Sequence, residues 1–368
     1  MKISLFDALA QFGQLLQRRL FPALAEEIGP LSEKHSQVIT VLSLIGMEGH
    51  LDGNSGGRGR PGQDRLRFAR AFVAKAVFNL PTTNLLIQLL CSDAALRRIC
   101  GWECAAEVPE KSSFSRAFKE FAQSKLPQRV HQALIEKTQK DRLVGHISRD
   151  ATAIAARERV VKPAPAPVAK PKPPKARRKR GSPKPPEEMT RIERQQKMTL
   201  AEMLADLPRD CAVGCKTNSQ GRKETWRGYK LHLDVADGQI PISAILTAAS
   251  LHDSQVAMPL AKMTAERVTN LYDLMDSAYD CQWLWKHSEA LGHVPIIERL
   301  KRGTGLVPMA PAEAERFKER TTVERVNARL KDEFGGRYVR VRGHAKIMAH
   351  LMFGLLVVTV DQVLRLAT

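Results

Sequence analysis

The stretch Phe317-Lys-Glu-Arg320-Thr-Thr-Val-Glu324-Arg-Val-Asn327-Ala-Arg-Leu-Lys331 holds the residues best suited to chemistry. It contains no Gly or Pro before Gly335, so it reads as a helix. At about 100° per residue, Arg320, Glu324, Asn327 and Lys331 share one face. Val323, Val326 and Leu330 share a neighbouring face that can bury. A lone carboxylate framed by cations and an amide suits metal-assisted chemistry on a nucleic-acid backbone. The carboxylate would hold a cation, and the Arg and Lys would hold phosphates. The same stripe also suits a solvated helix face laced by ordinary intrahelical ion pairs.

The spacing Phe317-(2)-Arg320-(3)-Glu324-(6)-Lys331 resembles a signature of DDE transposases from bacterial insertion sequences, Y-(2)-R-(3)-E-(6)-K. Phe stands here in place of Tyr. Ser148-Arg-Asp150-Ala-Thr152 resembles that family's first block, with Asp150 in the catalytic place. Leu274-Met-Asp276-Ser-Ala-Tyr279-Asp280 resembles the second, with Asp276 in the catalytic place. Where the family often has Lys-Gly-Tyr, this chain has Ser277-Ala278-Tyr279. Trp226-Arg-Gly228-Tyr229-Lys230-Leu-His232-Leu and His252-Asp253-Ser254 resemble further blocks. The resemblance runs from about residue 60 to the C-terminus and is broken by one insert.

What the resemblance implies is specific. The fold would be α/β: an RNase H-like mixed five-stranded sheet flanked by helices, preceded by an all-α N-terminal domain. The enzyme would bind the terminal inverted repeats of an element, cleave the DNA and transfer the strand. Asp150, Asp276 and Glu324 would hold Mg2+ or Mn2+, two ions in all. Arg320, Asn327 and Lys331 would contact DNA. Double-stranded DNA, as element ends and as target, would be the partner. The chain would form a homo-oligomer on DNA, in the bacterial cytoplasm at the nucleoid. Asp253, Asp273 and Asp280 are rival carboxylates, and Asp253 could orient a metal ligand from behind. A nuclease of the same fold without strand transfer, and a catalytically silent DNA-binding descendant, stay open as alternatives.

The elements that must position these residues are legible. Leu143 to Arg149 alternates as a strand ending at Asp150, and Leu271 to Met275 reads as a buried strand ending at Asp276. Tyr229, Leu231, Leu233 and Val235 line one face of an alternating strand. Asp237-Gly238 turns the chain into a return strand, Ile240 to Ala248. Val294 to Ile297 is strand-like, and residues 254–269 and 282–291 read as helices. A hairpin followed by alternating helices and strands predicts a mixed sheet. Upstream, residues 1–55 read as a helical segment. Residues 56–140 read as helical, with Phe68, Phe72 and Ala76 at helical spacing, and the resemblance makes them a DNA-binding domain. Residues 141–368 make the catalytic domain. Trp226 and Tyr229 could stack on a base or pack in a core, and core packing is the commoner fate.

Residues 162–186 form a different kind of polymer. Nine of these twenty-five are Pro, nine are Lys or Arg, and none is acidic. Such a segment is expected to be a disordered, phosphate-binding loop, with Arg177, Arg178, Lys179 and Arg180 as its densest run.

The chain has 368 residues, a net charge of +19 and a pI near 9.9. That surplus favours polyanions. The start, Met1-Lys-Ile-Ser-Leu-Phe-Asp7, does not read as a secretion signal. The apolar run Leu351 to Val360 is too short to span a bilayer, so no membrane is expected. Cys100/Cys104 and Cys211/Cys215 lack the Cys-x2-Cys spacing of zinc knuckles, and the six cysteines are expected to be reduced thiols.

Overall fold

The computed structural model describes residues 30–51, 63–161, 189–217, 220–300 and 308–367. The Pro-rich basic insert, with Arg177, Arg178, Lys179 and Arg180, lies outside the described residues.

One mixed sheet organises the second half. Strand β1 (Leu143–Ala155) runs antiparallel to β3 (Lys223–Ala236) and parallel to β5 (Thr269–Met275). Strand β4 (Ile240–Ala248) returns beside β3, and β6 (Val294–Ile297) runs parallel to β5. The order β4-β3-β1-β5-β6 is the five-stranded sheet expected for an RNase H-like domain. A sixth strand, β2 (Ala212–Thr217), pairs with the first part of β3. Sequence alternation missed it because this ribbon is mostly solvated and is tied by polar groups such as Lys216 and Glu224.

Strand β3 is buried on both faces. Tyr229, Leu231, Leu233 and Val235 join the main core, while His232 and Asp234 are buried on the other face. Helix α9 (Ser254–Ala265) covers that second face, and its Thr264 donates to Asp234 at 2.7 Å.

Helices α1 (Glu33–Ile45), α2 (Arg65–Val77), α3 (Thr83–Ser92), α4 (Ala94–Cys100), α5 (Lys111–Gln123) and α6 (Leu126–Gln139) form the layer that precedes the sheet. Their starts are written locally. Ser32, Asp64, Thr82 and Asp93 each accept a backbone N–H from the first turn of the helix that follows. An aromatic cluster fills the layer: Phe72 lies 4.7 Å from Phe118 and 5.9 Å from Phe353, centroid to centroid. Two short helices, α7 (Arg191–Gln195) and α8 (Leu200–Asp206), precede β2, and α10 (Gln282–Ala290) links β5 to β6.

After β6 come α11 (Pro311–Phe317), α12 (Thr321–Asp332) and α13 (His344–Ala367). Helix α13 packs on α1, α2, α5 and α6 on one side and on β4 and α12 on the other. It therefore joins both halves into one apolar core. The buried run expected at Leu351–Val360 is the middle of a 24-residue helix. By length and composition alone that helix could cross a membrane, yet 89% of its most apolar window is buried inside the protein. Gly354 permits the close approach to α12: a Cβ there would lie 2.6 Å from the Phe334 carbonyl oxygen.

Candidate active site

The site begins with strand register. Arg149 pairs with Met275 across the parallel β1–β5 ladder, so the next residues, Asp150 and Asp276, emerge side by side. Directly opposite residues in an antiparallel pair share a face. Asp150 lies opposite Leu233, whose side chain joins the core containing Val323, Val326 and Leu330 of α12. Asp150 therefore faces α12, and Asn327 meets it there with Nδ2 3.5 Å from Oδ2, a long contact.

Strand β1 does not end at Asp150, as the sequence suggested. It continues to Ala155 because β3 still pairs with it through Gly228, while β5 stops at Met275. Asp150 thus sits where one edge of the strand becomes free and the other stays paired. Gly228 has φ +150°, and a Cβ there would lie 2.1 Å from the Ile154 carbonyl oxygen. Only glycine permits this crossing of β1 and β3.

The helix read over 317–331 is also interrupted. Lys318–Arg320 is a 3-10 turn between α11 and α12. The Glu319 carbonyl accepts from the Ser148 hydroxyl at 3.0 Å, and the Lys318 carbonyl accepts from Thr321 Oγ1 at 3.0 Å. The first bond pins the start of α12 to β1, two residues before Asp150, and the second closes the turn itself.

Electrostatics draws the pieces together. Burial, aided by the nearby charges of Asp276 and Asp253, pushes the Asp150 carboxyl up to about 7. Burial also raises Asp276, against a hydrogen bond from the Ala278 N–H at 2.9 Å. Asp276 thereby caps the 3-10 turn Ser277–Tyr279. The Arg320 guanidinium attracts both Asp150 and Asp276 and binds Glu324 at 2.6 Å. One cation therefore acts on all three carboxylates. It also lies 5.7 Å from the Phe317 ring, so the phenyl group at the usual Tyr position keeps a face for the guanidinium. Lys331 is half-buried. Burial lowers its pKa, and Asp150 is among the charges that oppose the shift.

Sequence reading left Asp253 as an outer candidate. The structure places it among the charges acting on Asp150, Asp276 and the buried Tyr279. Lys230 holds it at 2.9 Å, and His232 Nδ1 stands 3.9 Å away. Burial keeps that imidazole neutral, with its pKa down to about 4. The other rivals are engaged elsewhere. Asp280 accepts from Leu300 N at 3.0 Å and Arg299 at 3.2 Å, while Asp273 accepts from Ser288 at 2.7 Å and His293 at 3.1 Å. Tyr229 is core, its hydroxyl donating to Glu158 at 3.1 Å, and Trp226 donates to the Tyr229 carbonyl.

Beneath the site lies a group that sequence reading missed. Arg149 is buried on the far face of β1 and grips Asp234 with two hydrogen bonds of 2.7 Å. The signal was an Asp inside an otherwise apolar strand. Such a residue must have a charged partner if it is to be buried.

The donor set fits a hard divalent cation in part. Two adjacent carboxylates, one of them reluctant to ionise without a counter-charge, are suitable ligands. Glu324 is directed to Arg320, and among the described residues no three Asp, Glu, His or Cys side chains converge as a metal site. The six cysteines are free thiols.

Residues 210–360 match the family model described as Transposase DDE domain, and residues 30–120 match the one described as Transposase domain (DUF772). The first match takes in Asp276 and Glu324, and Asp150 lies between the two. No curated protein and no solved structure matches the chain.

Proposed function

The chain belongs to the DDE transposases of insertion sequences, and we propose that Asp150, Asp276 and Glu324 carry its chemistry. It binds the terminal inverted repeats of its element, cuts the DNA beside them and joins the freed end to a target. The observation that carries this assignment is the Arg149–Met275 register, which brings Asp150 and Asp276 side by side at the ends of paired strands, with Asp150 facing α12. Bound Mg2+ or Mn2+, as a pair, supplies an activated water and neutralises charge on the leaving oxygen.

The chain's own residues do the rest. Asp150 and Asp276 provide the fixed oxygen ligands. Asn327 orients the Asp150 carboxylate. Glu324 would complete the ligand set once released from Arg320, and Arg320 would then hold a phosphate beside the scissile bond. Lys331, one turn beyond Asn327, holds another. The helical layer at 56–140 and the basic insert add DNA affinity, and the active species on DNA is a homo-oligomer.

The test is incubation of the chain with duplexes carrying the ends of its element and Mg2+, with products mapped to the nucleotide. Cleavage at the ends with strand-transfer products is the expected result. Cutting without joining would reassign the chain as a nuclease of this fold. Binding without cutting would make it a silent descendant.

A further inference from the structure

A second cationic site lies where the helical layer meets the link between α12 and α13. It is a pocket of about 300 Å3 with an apolar side formed by Phe72, Phe114 and Phe118. Lys75 of α2 lines it and is only 7% exposed. Arg340 and Arg342 of the link and Lys346 of α13 line it too. Among the described residues, none of these four cations has a carboxylate within ion-pair distance. The acids that end α12 are already taken: Asp332 binds Arg337, and Glu333 binds Arg329 at 3.0 Å. The remaining titratable group, His350, donates from Nε2 to the Gly335 carbonyl at 3.0 Å and is held neutral by burial, its pKa down to about 3.

A buried ammonium beside phenylalanines, without a counter-ion, is unfavourable unless an anion completes it. Four converging cations without acids match a phosphate. The opening rim is made by the exposed Arg340 and Arg342, so the anion can belong to a long polymer outside.

We propose that this pocket binds one backbone phosphate of duplex DNA, so that the helical layer and the α12–α13 link grip the substrate together. This rests on the transposase function above and adds a contact remote from the carboxylates. A further property follows from the floor of the pocket. Burial lowers the Lys75 pKa to about 8. Above that pH the free pocket loses a proton that phosphate binding must restore, so affinity falls as pH rises through it. The other charged or titratable side chains of the pocket are Arg340, Arg342, Lys346 and His350, of which burial keeps the last neutral.

The experiment is a salt titration of labelled-duplex binding by the full chain, using Lys75→Met and the rim variant Arg342→Ala. Each should weaken binding by about three- to tenfold and lower the slope of log K against log salt by about one. The fall in affinity above about pH 8 should vanish in Lys75→Met. Lys75→Met should also melt higher than wild type, which separates lost contact from lost fold. Wild-type affinity and slope in both variants would overturn the pocket and leave the transposase function standing. Failure of the wild-type chain to bind duplex would overturn both. Inorganic phosphate that raises the melting temperature of wild type but not Lys75→Met, with unchanged DNA slopes, would make this a free-phosphate site and overturn the DNA assignment.

Discussion

Asp150 carries a charge that its surroundings resist. Its pKa stands near 7 in the fold, from burial and from Asp276 and Asp253, against about 3.9 in an unfolded chain. Between those values the native state keeps a proton that the unfolded state has lost. Stability without metal therefore falls as pH rises through that window and stays low above it. Asp150→Asn is expected to raise metal-free stability at about pH 8 by on the order of 1–3 kcal/mol, with the gain fading toward about pH 4. Mg2+ should stabilise wild type and not the variant, and the variant should not cleave. Melts with and without Mg2+ at both pH values check this, and a variant less stable at the higher pH would make Asp150 a structural residue. Asp276→Asn and Glu324→Gln should abolish single-turnover cleavage as well. Arg320→Ala should lower cleavage while costing only about 0.3–0.5 kcal/mol, because its partner Glu324 is exposed. Normal cleavage with that small loss would remove Arg320 from the phosphate. Asp150 and Asp276 were named through resemblance to transposase blocks, Glu324 through the resemblance and its place on the helix stripe, and Arg320 through the same stripe. The Arg320–Glu324 pair was the mundane alternative at the outset, and in this structure it forms in the midst of the candidate site.

At the scale of elements, β1 and α12 decide the site. Alternation located β3, β4 and the start of β1 because those strands have one plainly apolar face. It could not show that β1 passes Asp150, since that depends on how far β3 accompanies it. Nor could it show the 3-10 turn at Lys318–Arg320, which depends on Ser148 from another strand. The buried Arg149–Asp234 pair is the strut beneath the candidate site. Arg149→Met strands a carboxylate in the interior and should cost about 3–5 kcal/mol. Arg149→Met combined with Asp234→Leu should recover most of that. Urea unfolding of the three proteins measures the coupling, and equal losses in single and double variants would show that packing, not charge, matters there. Gly228→Ala should also break the β1–β3 ladder, seen as loss of cooperative unfolding.

At the scale of the molecule, charge and core are distributed differently. Removing residues 162–186 takes away nine cations. It should flatten the salt dependence of DNA binding and leave the melting temperature within a few degrees. An unchanged slope, from duplex titrations over a range of salt, would mean that the insert does not touch DNA. The core, by contrast, runs unbroken from Val38 to Leu364 through α13. The helical layer and the sheet should therefore unfold in one transition, and two separated calorimetric peaks would contradict that. This continuity was hidden in the sequence, where the Leu351–Val360 run looked like a local core helix. Its partners are up to three hundred positions away and no periodicity names them. Helix α13 also follows every element it must join. During synthesis the face of β4 that α13 covers waits for a segment about 100 residues downstream, which at about 5–20 residues per second takes several seconds or more. When α13 arrives it has the length and apolarity of a bilayer span. Until it docks, the surface that completes the native core is the same surface that a bilayer would accept.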